Sequence, residues 1–346
     1  MTPIRVLIVD DSITMRALFT TVLEEAPGIT VVDCAANAAE ARTLIDRLKP
    51  DVVTLDVEMP GTSGLELLRE IMTRAPLPVI MLSTLTQKGA AATLEALELG
   101  AYDCFAKPKA ATMEEFRRVG PKLAKIVKAA ANGKVAQTKA GGGEPFVTCC
   151  DNADQRVIAL IGNTGAVEMI GSLISRFPID CPPTIVHLGD AQNVAEALVD
   201  KLDKSARPTV RLASDGQRLE PGNVYLVADA TRHAVVDRWP AASIRMVPGD
   251  PIAGHRPSAN LLLQSLAKTA AGAVSAGLLS GLGDDGVAAL GTLRGIGAHT
   301  LAVQPELAKA RELPELAIAM AGATPVDLDT LGRMLLAPVA TQMLAA

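Results

Sequence analysis

The chain is predicted to be an α/β protein of two domains, each built on a parallel sheet. Three observations carry that expectation. Short apolar runs alternate with helical patterns through residues 1–131. A Gly-containing break with few periodic apolar positions follows at residues 132–155. A second alternating series then begins at Arg156 and runs to residue 346. Strands and helices that alternate with short connections form doubly wound sheets, whose buried strands read as continuous Val, Ile and Leu runs.

In the first series the strands are expected at Arg5–Val9, Thr30–Cys34, Asp51–Leu55, Pro78–Leu82 and Tyr102–Ala106. Helical periodicity falls between them at Thr14–Glu25, Ala38–Leu48, Gly64–Arg74 and Gly89–Gly100, and Met113–Ala131 closes the set. The break holds Gly133 and a Gly-Gly-Gly at 141–143, the composition of a flexible linker. In the second series strands are expected at Val157–Ile161, Thr184–Leu188, Asn223–Val227, Ser243–Val247 and Ala273–Leu279. Helices are expected at Val167–Arg176, Val194–Lys204, Ser258–Ala271, Gly286–Gly295 and Leu328–Ala346. The two halves share this style but no internal repeat.

Composition narrows the function classes. Of 346 residues, 49% are apolar, so the chain is globular; only 2% are aromatic, so its cores rest on aliphatic side chains. A net charge of -5 argues against a nucleic-acid surface. Cys34, Cys104, Cys149, Cys150 and Cys181 form no metal-ligand spacing and no disulfide framework, which reads as a reduced, cytoplasmic setting. The first apolar stretch, Val6 to Val9, is too short for an export signal. The longest uncharged stretch, Thr269 to Gly283, falls short of the roughly 20 apolar residues of a membrane span. Neither nucleic acid nor membrane insertion is therefore expected.

Four residues carry the first candidate site. Asp10 and Asp11 end one predicted strand, Asp56 ends another, and Lys107, followed by Pro108, ends a third. Strand ends of a parallel sheet converge on one crevice. Clustered carboxylates repel one another unless they surround a hard cation such as Mg2+, which takes oxygen ligands. The lysine is then a counter-charge for a phosphoryl group on one acid.

The set Asp10-Asp11, Asp56, Ser83 and Lys107-Pro108 resembles the receiver domain of two-component response regulators, a flavodoxin-like five-stranded parallel fold, over residues 1–131. The resemblance implies that Asp56 accepts a phosphoryl group from a histidine kinase. It further implies that Asp10, Asp11 and Asp56, with the backbone carbonyl of Val57 or a neighbour, hold Mg2+. Ser83 and Lys107 would contact the phosphoryl oxygens. A carboxylate is a competent nucleophile when the developing charge is neutralised. Receivers usually carry an aromatic three residues before the lysine; here that position is Cys104, so the relay is expected to differ.

The second half is similar to the catalytic domain of the chemotaxis protein-glutamate methylesterases, the CheB family, over residues 156–346. The similarity rests on Leu160-Ile-Gly-Asn-Thr-Gly165, Ile185-Val-His187, Pro221-Gly-Asn-Val-Tyr-Leu226, Gly254-His-Arg-Pro-Ser258 and Gly281-Leu-Gly-Asp-Asp-Gly286. A receiver joined by a linker to such a domain is that family's architecture, and Ser83 to Gly89 also look like its receiver. The family's Ser, His and Asp would map His187 as base and Asp285 as its orienting partner. The serine is expected in a Gly-Ala-Ser-Thr-Gly-Gly loop, beside backbone donors for an oxyanion. Here the loop is Gly162-Asn163-Thr164-Gly165-Ala166, one residue short and without serine. Two alignments remain open, with Asn163 or Thr164 in the nucleophile slot. Both residues are also good helix caps. Val186, Leu282 and Glu312-Leu-Pro314 depart from the family pattern as well. His233 and His255 are read as structural. Gly281-Leu-Gly-Asp-Asp-Gly286 fits a dinucleotide fingerprint, but Asp284 and Asp285 would meet a pyrophosphate with like charge.

Two functions follow, the first as the main expectation and the second as its alternative. One is a phosphorylation-controlled methylesterase and glutamine deamidase acting on methylated chemoreceptors. The other keeps the same phospho-input and binds receptors or signalling partners without turnover.

Overall fold

The computed structural model describes residues 2–84, 87–133, 144–146, 155–189 and 192–337. Its contacts divide the chain into two units, Met1–Thr138 and Lys139–Ala346. Leu85-Thr86, the triple glycine at 141–143, Cys149, Cys150 and the end of the last expected helix, residues 338–346, lie outside the described residues.

The first unit runs β1 (Ile4–Val9), α1 (Ile13–Glu24), β2 (Ile29–Ala35), α2 (Ala38–Leu48), β3 (Val52–Asp56), α3 (Gly64–Arg74), β4 (Val79–Ser83), α4 (Gln87–Glu98), β5 (Asp103–Ala106) and α5 (Met113–Asn132). Its five strands are all parallel, in the order β2-β1-β3-β4-β5. Leu7, Val9, Val53, Leu55, Val79 and Met81 are fully buried, as their apolar runs require. Polar side chains start the helices. Ser12, Asn37, Ser63 and Thr112 each accept a backbone N–H of the first turn, and Ser63 with Glu66 forms a capping box. Because the order turns back at β1, the carboxyl ends of β1 and β3 adjoin, which is where a doubly wound sheet opens its crevice.

The second unit comprises β6 (Val157–Gly162), α6 (Ala166–Ile174), β7 (Thr184–Leu188), α7 (Ala195–Ser205), β8 (Thr209–Leu212), β9 (Gln217–Arg218), β10 (Asn223–Val227), β11 (Arg232–Val236), β12 (Ser243–Pro248), α8 (Ala259–Thr269), β13 (Val274–Leu278), α9 (Val287–Gly295), β14 (His299–Val303), α10 (Glu312–Ala321), β15 (Thr324–Val326) and α11 (Leu328–Leu336). Seven strands form a parallel sheet ordered β15-β14-β13-β6-β7-β10-β8. The order turns at β6, so the crevice of this sheet opens over β6, β7 and β13.

The strand at Ser243 does not join that sheet. β12 pairs antiparallel with β11 and β9 in a separate three-stranded sheet. β12 is only partly covered, and periodicity does not say which neighbour a strand pairs with. Sequence reading also passes over β8, β9, β11, β14, β15 and α10. Those strands are two to five residues long and mix their few apolar residues with polar, charged or proline ones, so no continuous apolar run marks them. Within the segment read as linker, Glu144–Phe146 packs onto the second unit, with Phe146 buried.

Candidate functional site

In the first unit the acids meet as expected. Ligand oxygens of Asp10, Asp11 and Asp56 lie within 4.8 Å of one another, with Asp10 and Asp56 buried and Asp11 exposed. The Lys107 ammonium sits 2.8 Å from Asp10 Oδ2 and 2.7 Å from Asp56 Oδ2. Burial raises the Asp56 carboxyl above the ordinary carboxylate range, against the opposing hydrogen bond from Lys107. For Lys107, burial works to lower the pKa, but its bonds to Asp10 and Asp56 outweigh this and raise it. Lys107 is therefore a fixed cation at neutral pH, as charge compensation for these acids requires.

The supporting backbone is closely built. Asp10 Oδ1 accepts the Ser12 N–H at 3.0 Å, and the Arg16 guanidinium donates to the Asp10 and Asp11 carbonyls at 2.7 and 3.0 Å. The Glu58 N–H donates to Asp56 Oδ1 at 3.3 Å. The Val57 carbonyl, expected as a cation ligand, accepts the Gly64 N–H at 3.1 Å. Ser83 is buried at the end of β4, its hydroxyl 3.3 Å from that of Thr93. Thr93 and Arg16 carry no signal in the sequence, because helix-surface polar residues are common. Cys104 points its sulfur at the Thr93 carbonyl, 3.6 Å away, in place of the expected aromatic. A Cβ at Gly64 would lie 1.9 Å from the Asp56 carbonyl oxygen. Gly64→Ala is accordingly expected to cost the first unit about 3 kcal/mol, read as a shift of its transition in denaturant unfolding.

In the second unit, Ile161, Gly162, Asn163, His187, Gly189, Gly254, His255, Arg256, Pro257, Ala259, Asp285 and Leu313 line one crevice. It thus gathers Asn163, His187 and Asp285, but not Thr164. The Asn163 carboxamide is clasped by backbone. Its Oδ1 accepts the N–H of Leu282 at 2.7 Å and of Thr164 at 2.6 Å, while Nδ2 donates to the Leu282 carbonyl at 2.9 Å. Gly281 makes room for it, since a Cβ there would fall 2.8 Å from Asn163 Oδ1. Gly165, at φ 75°, starts α6 where a Cβ would meet Lys309 and Ser280.

His187 is 3% exposed, and its Nε2 has no hydrogen-bond partner among the described residues. It is therefore not a satisfied core histidine. Burial pushes its pKa down, against the charge of Asp285 and a bond to the Pro257 backbone. Asp285 is committed elsewhere: it accepts Ser258 Oγ at 3.0 Å, Ala259 N at 2.7 Å and Asn260 N at 2.9 Å. It caps α8, rather than the helix that follows it in sequence, and the described bonds to its carboxylate include none from His187. His187 is thus a buried imidazole with an unpartnered Nε2 among the described residues, in the same crevice as the Asn163 carboxamide.

His233 and His255, read as structural, divide. His233 is buried, its Nε2 2.9 Å from the Asp250 carbonyl and its Nδ1 accepting the Ser258 N–H at 3.1 Å. His255 instead lines the crevice. Only the folding of its loop over β6 and β7 reveals that.

Comparison with known proteins agrees with both halves. The response regulator receiver domain matches residues 6–116, so the first unit defines a two-component receiver, here joined to a doubly wound α/β domain. The model described as CheB methylesterase matches residues 158–335. A curated relative from Rhizobium etli, named protein-glutamate methylesterase/protein-glutamine glutaminase, is 42% identical over 86% of this chain and 86% of its own length. One from Caulobacter vibrioides with that name, numbered 1, is 41% identical over 87% of this chain and 88% of its own. The solved response regulator domain of Thermotoga maritima CheB is 44% identical, covers 38% of this chain and 98% of its own, and has a TM-score of 0.36. The chain belongs to the CheB methylesterase family, as one of its receiver-linked response regulators.

Proposed function

We propose that the chain is a cytoplasmic, phosphorylation-controlled chemotaxis regulator that engages glutamyl side chains of chemoreceptors, and that it does so without the serine acyl-enzyme route. The relatives' names supply the target class, protein glutamate esters and protein glutamine. That no helix among the described residues is long and apolar enough to cross a membrane is compatible with the setting.

The input is Asp56. The donor set at Asp10, Asp11 and Asp56 is all oxygen and fits Mg2+, with a backbone carbonyl of the loop after β3 as a further ligand. Bound there, Mg2+ supplies charge neutralisation for phosphoryl transfer from a histidine kinase. Asp56 attacks the phosphorus through its carboxylate as the P–N bond of the kinase's phosphohistidine breaks and its imidazole leaves, and Lys107 and the Ser83 hydroxyl hold the transferred oxygens.

The output rests on one observation. The Asn163 carboxamide bonds the Leu282 N–H, which supports reading Asn163 as the occupant of the family's nucleophile slot and the Leu282 N–H as the donor an oxyanion would need. An amide nitrogen delocalised into its carbonyl is no nucleophile, and a committed donor stabilises no developing charge. Recognition survives this arrangement, because His187 and the loop 254–257 still wall the crevice. The test is methanol release from a methylated receptor fragment by the protein phosphorylated with acetyl phosphate and Mg2+. Release is expected to equal that of His187→Ala, while the fragment still binds on a sensor surface. Release by wild type that His187→Ala abolishes would overturn the binding-protein reading in favour of an active hydrolase.

A further inference from the structure

Between the receiver and the second unit, a short piece of connecting chain is built into the fold. Phe146 is 5% exposed although it lies in a stretch otherwise poor in apolar residues. Its N–H donates to the Arg176 carbonyl at 2.9 Å, just past the end of α6. The Arg176 guanidinium returns the contact: its Nε donates to the Glu144 carbonyl at 2.8 Å, and its Cζ stands 4.1 Å from the centroid of the Phe146 ring. Asp329, at the start of α11, pairs with the same guanidinium. The Phe177 ring meets Phe146 edge-on at 6.2 Å between centroids. Opposite them, α11 presents Gly332, where a Cβ would lie 2.3 Å from the Phe146 ring. The groove is thus shaped for an aromatic side chain, lined by a planar cation that stacks on it, and closed by a residue that has no side chain.

We infer that Glu144–Phe146 is a strap, and that the groove between the end of α6 and α11 is its docking site. The strap fastens the interdomain connection to α6, and the loop at the other end of that nine-residue helix holds Asn163. Fastening at one end of a short rigid helix restrains the loop at its other end. Releasing the strap therefore loosens the Asn163 loop, without any change at the receiver's acids.

Hydrogen exchange on the full chain tests this. In the wild type the Phe146 amide is expected to exchange at least ten-fold more slowly than an unstructured peptide of the same sequence. Exchange at the unstructured rate overturns the inference and requires no variant. Phe146→Ala removes the occupant, and Gly332→Val fills the groove without touching the connecting segment. Both are expected to raise exchange at residue 146, and at the Thr164 and Ala166 amides, at least five-fold. Acceptance of phosphoryl by Asp56 stays at the wild-type level. Wild-type exchange at Thr164 and Ala166 in both variants, with residue 146 released, also overturns it.

Discussion

Asp56→Asn is expected to reduce phosphoryl incorporation from acetyl phosphate or a phosphorylated histidine kinase to background, while leaving the receiver folded. The carboxamide keeps the size and buried position of the carboxylate but removes the nucleophilic anion. Electrostatics sharpen the expectation. Asp56 lies beside Asp10 and shares Lys107 with it, so its negative charge is compensated within the fold. Its pKa is raised above the ordinary carboxylate value, chiefly by burial. The nucleophile is the deprotonated form. Removing the divalent cation with a chelator is expected to abolish incorporation in the wild type, since two buried carboxylates and one lysine leave the incoming phosphoryl charge unbalanced. Hydroxylamine-sensitive label retained in Asp56→Asn would place the acceptor elsewhere, with Asp10 or Asp11 the first residues to test.

The second large effect is a gain of activity. Replacing Gly162-Asn163-Thr164-Gly165 by Gly-Ala-Ser-Thr-Gly restores both the length and the serine. Methanol release from a methylated receptor fragment is expected to rise from background to a rate that His187→Ala abolishes. The base is ready for this. His187 is held neutral by burial and its Nε2 has no hydrogen-bond partner among the described residues. The Leu282 N–H, freed from Asn163, becomes a donor for the oxyanion; such a donor is worth about 10²–10³ in rate. Asn163→Ser in the unlengthened loop should remain well below the insertion variant, because the short loop is anchored by Asn163 N to the Ser280 carbonyl and by Ala166 N to the Asn163 carbonyl. Asp285 sets the ceiling. Its oxygens are spent on Ser258, Ala259 and Asn260, so it acts on His187 through charge. An insertion variant that folds like wild type yet releases no methanol would show that the slot is not the only defect.

The elements flanking the receiver's acids were legible because buried parallel strands are short apolar runs that stop abruptly at a charge. Asp10, Asp56 and Lys107 each mark such a stop, and the crevice follows from strand order. In the second unit the long elements were legible for the same reason. The antiparallel position of β12, the two-residue β9 and the strand β15 were not, since pairing partners are chosen by distant chain and leave no period. His233 is the structural brace expected of it, but the place of His255 was hidden: a single histidine in a loop gives no signal, and only the folding of that loop makes it a crevice wall.

By itself the sequence determined two parallel α/β domains, the convergence of three acids and a lysine, and a short loop at residues 162–166 without serine. These are matters of residue identity and local spacing. Tertiary structure decided that the Asn163 carboxamide bonds the Leu282 backbone and lines the crevice with His187. It also decided that Asp285 caps α8 and that Phe146 straps part of the connecting segment to α6. Each of those outcomes depends on groups far apart in sequence, Asn163 with Leu282, Asp285 with Ser258, and Phe146 with Arg176 and Gly332. A hydrogen bond or a ring contact is made by distance in space, and that distance exists only once the sheets have brought the strand ends and helices together.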